Sequence, residues 1–290
     1  MGGMSVKSEM FEKSVNGFME QQYLDEISQN TLKAYRNAIN KFLYFLKKEN
    51  IKVIDKNVMI NYRRHLDEIS ESANSKNLWI IALNKYLKWL DNSDLCLKQI
   101  KVQKKFYSEY NLSLSDYKRL LRIAKKENRE QDHLIIKTLC MTGIRISELK
   151  YFTVENLKRQ NDNILHIYNK KKERDILLID SLARDLRKYC RKNKIAEGYI
   201  FVSPKIPGNM ISTSCIWKRL QKLAGMARIN KKSVHAHAFR HLFSDTFLDK
   251  YPDHVLALAA YLGHNSLETT RIYAKKTLKQ QKQMLSKLDF

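Results

Sequence analysis

Residues 164–179, ILHIYNKKKERDILLI, decide between an all-helical chain and a mixed one. Two β-rich runs, ILHIYN at 164–169 and RDILLI at 174–179, flank the polar residues KKKE, and this arrangement is typical of a β-hairpin. The rest of the chain mostly places apolar residues three and four positions apart, which is the helical period. The sequence therefore predicts a mainly α protein with one small antiparallel β-sheet.

The N-terminal part is predicted to be helical throughout, from about residue 10 to residue 93. Asn30 is expected to cap one helix, a second is expected to open near Asp55, and a third near Ser75. The helical period assigns the following apolar residues to the core: Leu32, Tyr35, Ile39, Phe42, Leu43, Leu46, Val58, Tyr62, Leu66, Leu78, Ile81, Ala82, Leu87 and Leu90.

The helical period lapses between residues 91 and 110, where lysines accumulate. We therefore expect a helical domain at 10–95, a basic linker at 96–110 and a second domain at 111–290. A length of 290 residues fits two domains, because single domains have about 100–200 residues. The small sheet is assigned to the second domain.

The charge balance points to a polyanionic partner. The chain has 54 Lys and Arg against 30 Asp and Glu, a formal net charge of +24. Nucleic acid fits this surplus, because each phosphate neutralised releases condensed counterions. The sequence contains no run of 18 apolar residues, so no membrane span is predicted. Residues 1–10 lack the apolar region of a secretory signal. The four scattered cysteines favour reduced thiols in the cytoplasm: Cys96, Cys140, Cys190 and Cys215.

A set of basic residues and one tyrosine carries the candidate chemistry. Arg145 lies in TGIRISEL, His237 and Arg240 lie in HAFR, and His264 ends LGH, nine residues before Tyr273. Guanidiniums can grip phosphate oxygens and neutralise the charge that develops there, and histidines can move protons. A tyrosine hydroxyl with a pKa of about 10 needs such a cationic site to become a nucleophile. The set suits attack on a phosphodiester.

Two other chemistries are disfavoured by the residue pattern. His237 and His241 have metal-ligand spacing, and His235 is close by, but no HExxH motif accompanies them. No Gly-Lys pair occurs, so a Walker A phosphate loop is excluded. We expect no metal and no cofactor, and transfer of a phosphodiester to a tyrosine requires neither ATP nor a metal.

These motifs resemble those of the tyrosine recombinases of the phage-integrase family, including its Xer-like members. The resemblance spans nearly the whole chain and implies a helical core-binding domain followed by a catalytic domain. It implies that Arg145 and Arg240 grip the scissile phosphate and that Tyr273 is the nucleophile. His237 is implied as a general base or phosphate donor, and His264 fills a third basic position. Glu148 matches an acidic position that supports the first arginine.

The catalytic lysine is where the sequence departs from the family. The family's hairpin usually carries G-K-G, whereas YNKKKER stands here. Alignment on the first strand selects Lys170, which we predict to protonate the leaving 5′ oxygen. Alignment on the Glu-Arg pair at 173–174 would instead place Asn169 at the position of the family's lysine. Lys171 or Lys172 would then act as the catalytic lysine.

The resemblance also implies an assembly and a reaction course. Two domains would form a clamp around double-stranded DNA at a specific core site, and cleavage would give a 3′-phosphotyrosyl intermediate. A homotetramer on two sites would exchange strands through a Holliday junction, with monomers or dimers off DNA and an accessory protein as a further partner. The tail from about residue 276 would dock on a neighbouring protomer or pack on its own domain. We expect a cytoplasmic, nucleoid-associated enzyme with no membrane partner.

Four points stay open: the biological role, two alternative functions and the target sequence. The role is either the resolution of chromosome or plasmid dimers or the movement of a genetic element. A type IB topoisomerase-like enzyme shares the phosphotyrosine chemistry. A non-catalytic DNA-binding protein could retain the scaffold. The target sequence does not follow from the chain, since base readout depends on which side chains reach the grooves.

Overall fold

A computed structural model describes residues 6–102, 111–158, 163–169 and 172–263, with the backbone alone at residues 168, 169 and 172. The chain divides into two compact units, Met1–Lys104 and Lys105–Phe290. The mainly helical architecture with small antiparallel sheets confirms the predicted fold class. No helix within the described ranges is both long and apolar enough to cross a membrane.

The N-terminal unit is a helical bundle with an aromatic core. The ring of Phe11 lies 5.3 Å from that of Phe42 and 4.6 Å from that of Tyr86, both edge-on. Such pairs contribute about 0.5–1.5 kcal/mol beyond burial alone. The elements are β1 Val6–Lys7, α1 Ser8–Lys13, α2 Val15–Leu24, α3 Gln29–Lys48, β2 Val53–Ile54, α4 Lys56–Ile69, α5 Ala73–Trp89 and a 3-10 turn at Ser93–Leu95.

Two asparagines on α5 hold the extended segment that follows the bundle. The side-chain amide of Asn84 donates to the carbonyl of Leu97 at 2.7 Å and accepts its N–H at 2.9 Å. Two turns earlier, Asn77 pairs in the same way with Ile100, at 2.9 and 2.8 Å. Each amide mimics a backbone partner in a sheet, so the first residues after the bundle are bound to the N-terminal unit.

The helix starts differ in part from the prediction. The opening near Asp55 is confirmed, since Asp55 caps α4. Asn30 is not a cap, because Ser28 caps α3. The third helix begins earlier than Ser75, because Ser72 caps α5. Serine and asparagine are equally good caps, and the path of the preceding chain decides which of them is used.

The prediction that residues 10–93 are helical throughout was wrong at one point. Val53–Ile54 pairs antiparallel with Val6–Lys7 in a two-stranded sheet. The predicted core positions Leu78 and Ile81 are also 46% and 39% exposed. A different stripe of α5 faces the core, and its buried residues are Ile80, Ala82, Leu83, Tyr86 and Leu87.

The C-terminal unit packs helices around a large hydrophobic core, with a smaller cluster around Leu258 and Leu262, and it carries the hairpin. Ser113 begins the unit's first helix with a capping box, in which its side chain and that of Asp116 each accept the other's backbone N–H. The elements are α6 Leu114–Lys126, α7 Glu130–Thr142, a 3-10 segment at Ile146–Tyr151, α8 Val154–Lys158, β3 Ile164–Asn169, β4 Lys172–Leu177, α9 Asp180–Lys192, α10 Thr213–Met226, a 3-10 turn at Lys231–Ser233, α11 Ala236–Lys250 and α12 Val255–Leu262.

The predicted hairpin is present, with different strand bounds. β3 and β4 pair antiparallel from Ile164 opposite Leu177 to Asn169 opposite Lys172. The expected connection KKKE was too long, because Lys172 and Glu173 belong to β4. The strand also ends before the last residues of RDILLI. Lysine and glutamate have low strand propensity, so the sequence pattern placed the second strand too late, whereas cross-strand pairing extends it.

Candidate active site

The first element of the site is the sharp end of α7. Gly143 follows the helix in the left-handed region, with φ of 59°. A Cβ at this position would lie 2.6 Å from Cδ1 of Phe243 and 3.0 Å from Cδ2 of Leu262. Only glycine meets both the dihedral angle and the close packing. The turn places Arg145 directly at the start of the 3-10 segment.

Glu148 orients Arg145 from within the core. Its carboxylate is 1% exposed and accepts the backbone N–H of Arg145 at 2.8 Å and the Nη1 of Arg145 at 3.2 Å. Burial alone would raise the pKa of Glu148. The hydrogen bonds from Arg145 and the charges of Arg174 and Arg145 outweigh burial and hold this pKa below its usual value. The Arg145 side chain is 42% exposed, so a fixed cation faces solvent.

Arg174 on β4 is a site residue that the sequence analysis missed. Its Nη2 lies 2.5 Å from Oε2 of Glu148, and its Nη1 donates to the carbonyl of Tyr261 at 2.6 Å. The signal was available in the strand pattern: Arg174 shares the inward face of β4 with Ile176, which is fully buried. A charged residue at an inward strand position indicates a buried ion pair.

Arg240 ties two segments of the site together. It lies on α11, is 1% exposed, and donates from Nη1 to the carbonyl of Gly143 at 2.7 Å. Its Nη2 donates to the carbonyl of Leu262, the last residue of α12, at 2.8 Å. Arg240 therefore joins the end of α7 to the end of α12.

The histidines cluster at the N-terminal end of α11. His235 caps this helix, and its Nδ1 accepts the N–H of Ala238 at 3.2 Å. The rings of His237 and His241 meet edge-to-face, with centroids 4.7 Å apart. Burial lowers the pKa of His237, and the charges of Arg240, His235 and Arg145 lower it further. Both effects favour the neutral form of the His237 imidazole.

Three of the six predicted catalytic residues lie in the described part of the chain, and the structure brings them together. Arg145 and Arg240 are linked through the turn at Gly143, and both arginines lower the pKa of His237. The other three predictions, Lys170, His264 and Tyr273, lie outside the described residues, as does the alternative Lys171. The Leu262 carbonyl bound by Arg240 lies two positions before His264 in the sequence.

The described residues offer no group of three His, Cys, Asp or Glu side chains suited to hold a metal ion. His235 caps α11, and His237 and His241, the pair with metal-ligand spacing, meet in a ring contact. In this part of the chain the site is made of cations and neutral imidazoles, with Glu148 balancing part of the charge.

Comparison with known proteins identifies the family. The profile of the phage integrase family matches residues 111–280, and that of the phage integrase N-terminal SAM-like domain matches residues 18–93. The chain is 27% identical over 272 residues to the tyrosine recombinase XerA of Saccharolobus solfataricus, covering 89% of this chain and 86% of that protein.

Two solved structures share the fold. XerH site-specific recombinase bound to palindromic difH substrate in a post-cleavage complex has a TM-score of 0.71 at 18% identity, with 97% of this chain and 84% of that one covered. A lambda integrase dimer bound to a COC' core site has a TM-score of 0.69 at 16% identity, with coverages of 93% and 77%. The chain belongs to the phage integrase family and is a site-specific tyrosine recombinase, an enzyme that cleaves and rejoins DNA.

Proposed function

We propose that this recombinase cleaves double-stranded DNA at a specific core site with Tyr273 as its nucleophile. The tyrosine oxygen attacks the scissile phosphorus and forms a 3′-phosphotyrosyl bond. The bond from phosphorus to the 5′ oxygen breaks, and the oxygen leaves as a 5′ hydroxyl. The observation that carries the proposal is the assembly of Arg145, His237 and Arg240 at one site from segments far apart in sequence.

Charge stabilisation comes from the two arginines. The transition state carries extra negative charge on the nonbridging oxygens, and preorganised cations stabilise it without reorganisation. Arg145 is fixed by Glu148 and partly exposed, so it suits a direct phosphate contact. Arg240, held by the carbonyls of Gly143 and Leu262, is the second cation proposed for the same phosphate.

Proton transfer falls to His237 and Lys170, and His264 contributes a hydrogen bond. His237, kept neutral by burial and by nearby positive charges, takes the proton of the attacking hydroxyl. His264 fills the third basic position and donates a hydrogen bond to a nonbridging oxygen. Lys170, which lies between β3 and β4 in the sequence, gives its proton to the leaving 5′ oxygen; Lys171 and Lys172 are the alternatives.

Rejoining reverses the same step. The 5′ hydroxyl of a partner strand attacks the phosphotyrosine, releases Tyr273 and exchanges one pair of strands. Four protomers on two core sites exchange the second pair of strands through a Holliday junction. Both domains of each protomer bind the DNA, and the tail from about residue 276 contacts a neighbouring protomer. The lambda integrase dimer on its core site supports DNA-bound oligomers in this fold. The reaction takes place in the cytoplasm on nucleoid DNA.

The test is formation of an SDS-resistant protein–DNA adduct without added metal or ATP. Supercoiled and nicked DNA from the chain's own genomic neighbourhood is incubated with wild-type protein, Tyr273→Phe and Tyr251→Phe. Tyr251 follows α11 and is 42% exposed, which makes it a matched tyrosine away from the proposed chemistry. We expect adducts with the wild type and Tyr251→Phe and none with Tyr273→Phe.

Other outcomes would reassign the function. An adduct that persists in Tyr273→Phe would show that another residue is the nucleophile. DNA relaxation without joining of two separate sites would indicate a topoisomerase-like enzyme. Tight, salt-sensitive DNA binding with no adduct on any fragment would indicate the non-catalytic protein.

A further inference from the structure

Arg174 has contacts that reach three segments of the site. Its guanidinium touches the Glu148 carboxylate at 2.5 Å and the Tyr261 carbonyl at 2.6 Å, and its stem packs against Gly263. A Cβ on Gly263, where φ is 64°, would lie 2.9 Å from Cδ of Arg174. The side chain is only 13% exposed. Arg174 therefore links β4, the Arg145 turn and the end of α12.

Arg174 and Arg240 bind the end of α12 in the same way. They bind the consecutive carbonyls of Tyr261 and Leu262 at the C-terminal end of α12. The carbonyls in the last turn of a helix carry partial negative charge, so cations are favoured there. With its other nitrogen each arginine reaches the turn after α7: Arg240 binds the Gly143 carbonyl, and Arg174 binds Glu148. The pair fixes that turn relative to the segment that continues toward His264.

The charge balance of this cluster determines what Arg145 can offer. Two guanidiniums, those of Arg145 and Arg174, share the single carboxylate of Glu148. Of these two cations, Arg145 is the partly exposed one and Arg174 the largely buried one. If Arg174 lost its charge, the buried carboxylate of Glu148 would lose one of the cations that balance it. The guanidinium of Arg145 would be drawn toward Glu148, and less positive charge would be available for an anion.

We propose that Arg174 is a positioning residue for DNA cleavage, which satisfies Glu148 so that the charge of Arg145 stays available to the scissile phosphate. This inference rests on the proposed function. Arg174 also anchors β4. In the sequence, residues 170 and 171 join β4 to β3. Loss of Arg174 should therefore slow the chemical step, while DNA affinity, which is the sum of many phosphate contacts, should change little.

The experiment is single-turnover cleavage at saturating protein, with binding measured separately. The substrate is the nicked DNA fragment that forms an adduct with the wild type. We expect Arg174→Gln to slow adduct formation by about 100-fold, the loss typical of one charge-stabilising contact in a transition state. Arg174→Lys keeps the charge but loses the fork that reaches two acceptors, so its rate should fall by about tenfold. The dissociation constant for the same DNA should change less than threefold in both, on the order of 0.6 kcal/mol.

A matched control exists in the same unit. Asp132 is 3% exposed and lies between Arg129 at 2.7 Å and Arg219 at 2.5 Å, so it reproduces the buried carboxylate with two arginines away from the proposed chemistry. Arg129→Gln should lower the melting temperature as much as Arg174→Gln and leave the cleavage rate within twofold of the wild type. Equal slowing by the two variants would reduce Arg174 to a stability residue and overturn the proposal.

A second variant separates charge from packing. In the Glu148→Gln, Arg174→Gln double variant, the buried carboxylate is gone, so Arg145 is no longer neutralised. We expect this protein to cleave about tenfold faster than Arg174→Gln alone, which a purely structural role does not predict. Absence of any recovery, or a wild-type rate for Arg174→Lys and Arg174→Gln, would overturn the inference. If wild-type protein forms no adduct, the proposed nucleophilic function is what has failed.

Discussion

The turn at Gly143 allows a prediction whose size follows from the structure. Gly143→Ala forces a Cβ into the left-handed region, which costs about 1–2 kcal/mol. The same Cβ would lie 2.6 Å from Phe243, so the ring or the backbone must move, and overpacking of this kind costs about 1–3 kcal/mol. We expect the unfolding free energy of the C-terminal unit to fall by about 2–5 kcal/mol. Each kcal/mol lost should lower the melting temperature by about 2–4 °C.

Gly198→Ala is the matched control. Gly198 has φ of 72° in the same unit, and nothing lies within 4 Å of a Cβ built there. It bears only the conformational cost, so the difference between the two variants isolates the steric contribution of about 1–3 kcal/mol. Urea unfolding of both variants measures this difference. Equal destabilisation would refute the packing argument for Gly143.

The same substitution should affect catalysis. The Gly143 carbonyl accepts a hydrogen bond from Arg240, and Arg145 follows two positions later. A shift of the turn moves both arginines, and misplacement by about 1 Å can cost about 100-fold in rate. Single-turnover adduct formation should fall by about 10- to 100-fold in Gly143→Ala and stay at the wild-type rate in Gly198→Ala. A wild-type rate in Gly143→Ala would show that the turn does not position the site.

Two further predictions concern the helical bundle and pH. Asn84→Ala removes both hydrogen bonds to Leu97, so it should cost about 1–3 kcal/mol of unfolding free energy and speed amide exchange at Leu97. Asn74→Ala, on the exposed side of α5, is the control and should have neither effect. Unchanged amide exchange in Asn84→Ala would contradict the role of Asn84 in holding the segment after the bundle. Burial, then the neighbouring histidines and Arg240, lower the pKa of His241 to about 4. The unfolded chain therefore binds this proton first, near pH 6.5, and stability falls as pH drops from about 6.5 to 4, by at most about 3 kcal/mol. His241→Gln should flatten that decline in urea titrations, and an identical slope would refute it.

Local sequence patterns predicted much of the secondary structure and part of the core. Apolar periodicity identified the core positions of α3 and α4, such as Phe42 and Tyr62, because a helix facing a core repeats every 3.6 residues. Asp55 was predicted at a helix start for the same kind of local reason. Patterns failed where neighbours in space decide: β2 exists only because β1 pairs with it, and the choice between Leu78 and Ile80 for the core depends on what packs against α5.

The site shows the same division. Arg145, His237 and Arg240 could be named from the sequence because each lies in a short motif whose residue types suit phosphate chemistry. For Arg174 the strand pattern indicates only a buried ion pair at an inward position. Its partners, Glu148 and the Tyr261 carbonyl, belong to distant segments, so only the tertiary structure identifies them.

The sequence by itself determined the helical class, the hairpin, the basic charge and the reactive residue types, because propensity, periodicity and side-chain chemistry are local properties. Only the tertiary structure decided the environment of those residues. It buries Glu148 between two arginines, lowers the pKa of His237, and makes Gly143 irreplaceable through the ring of Phe243. Burial, electrostatic coupling and steric exclusion depend on distances between segments, and folding alone sets those distances.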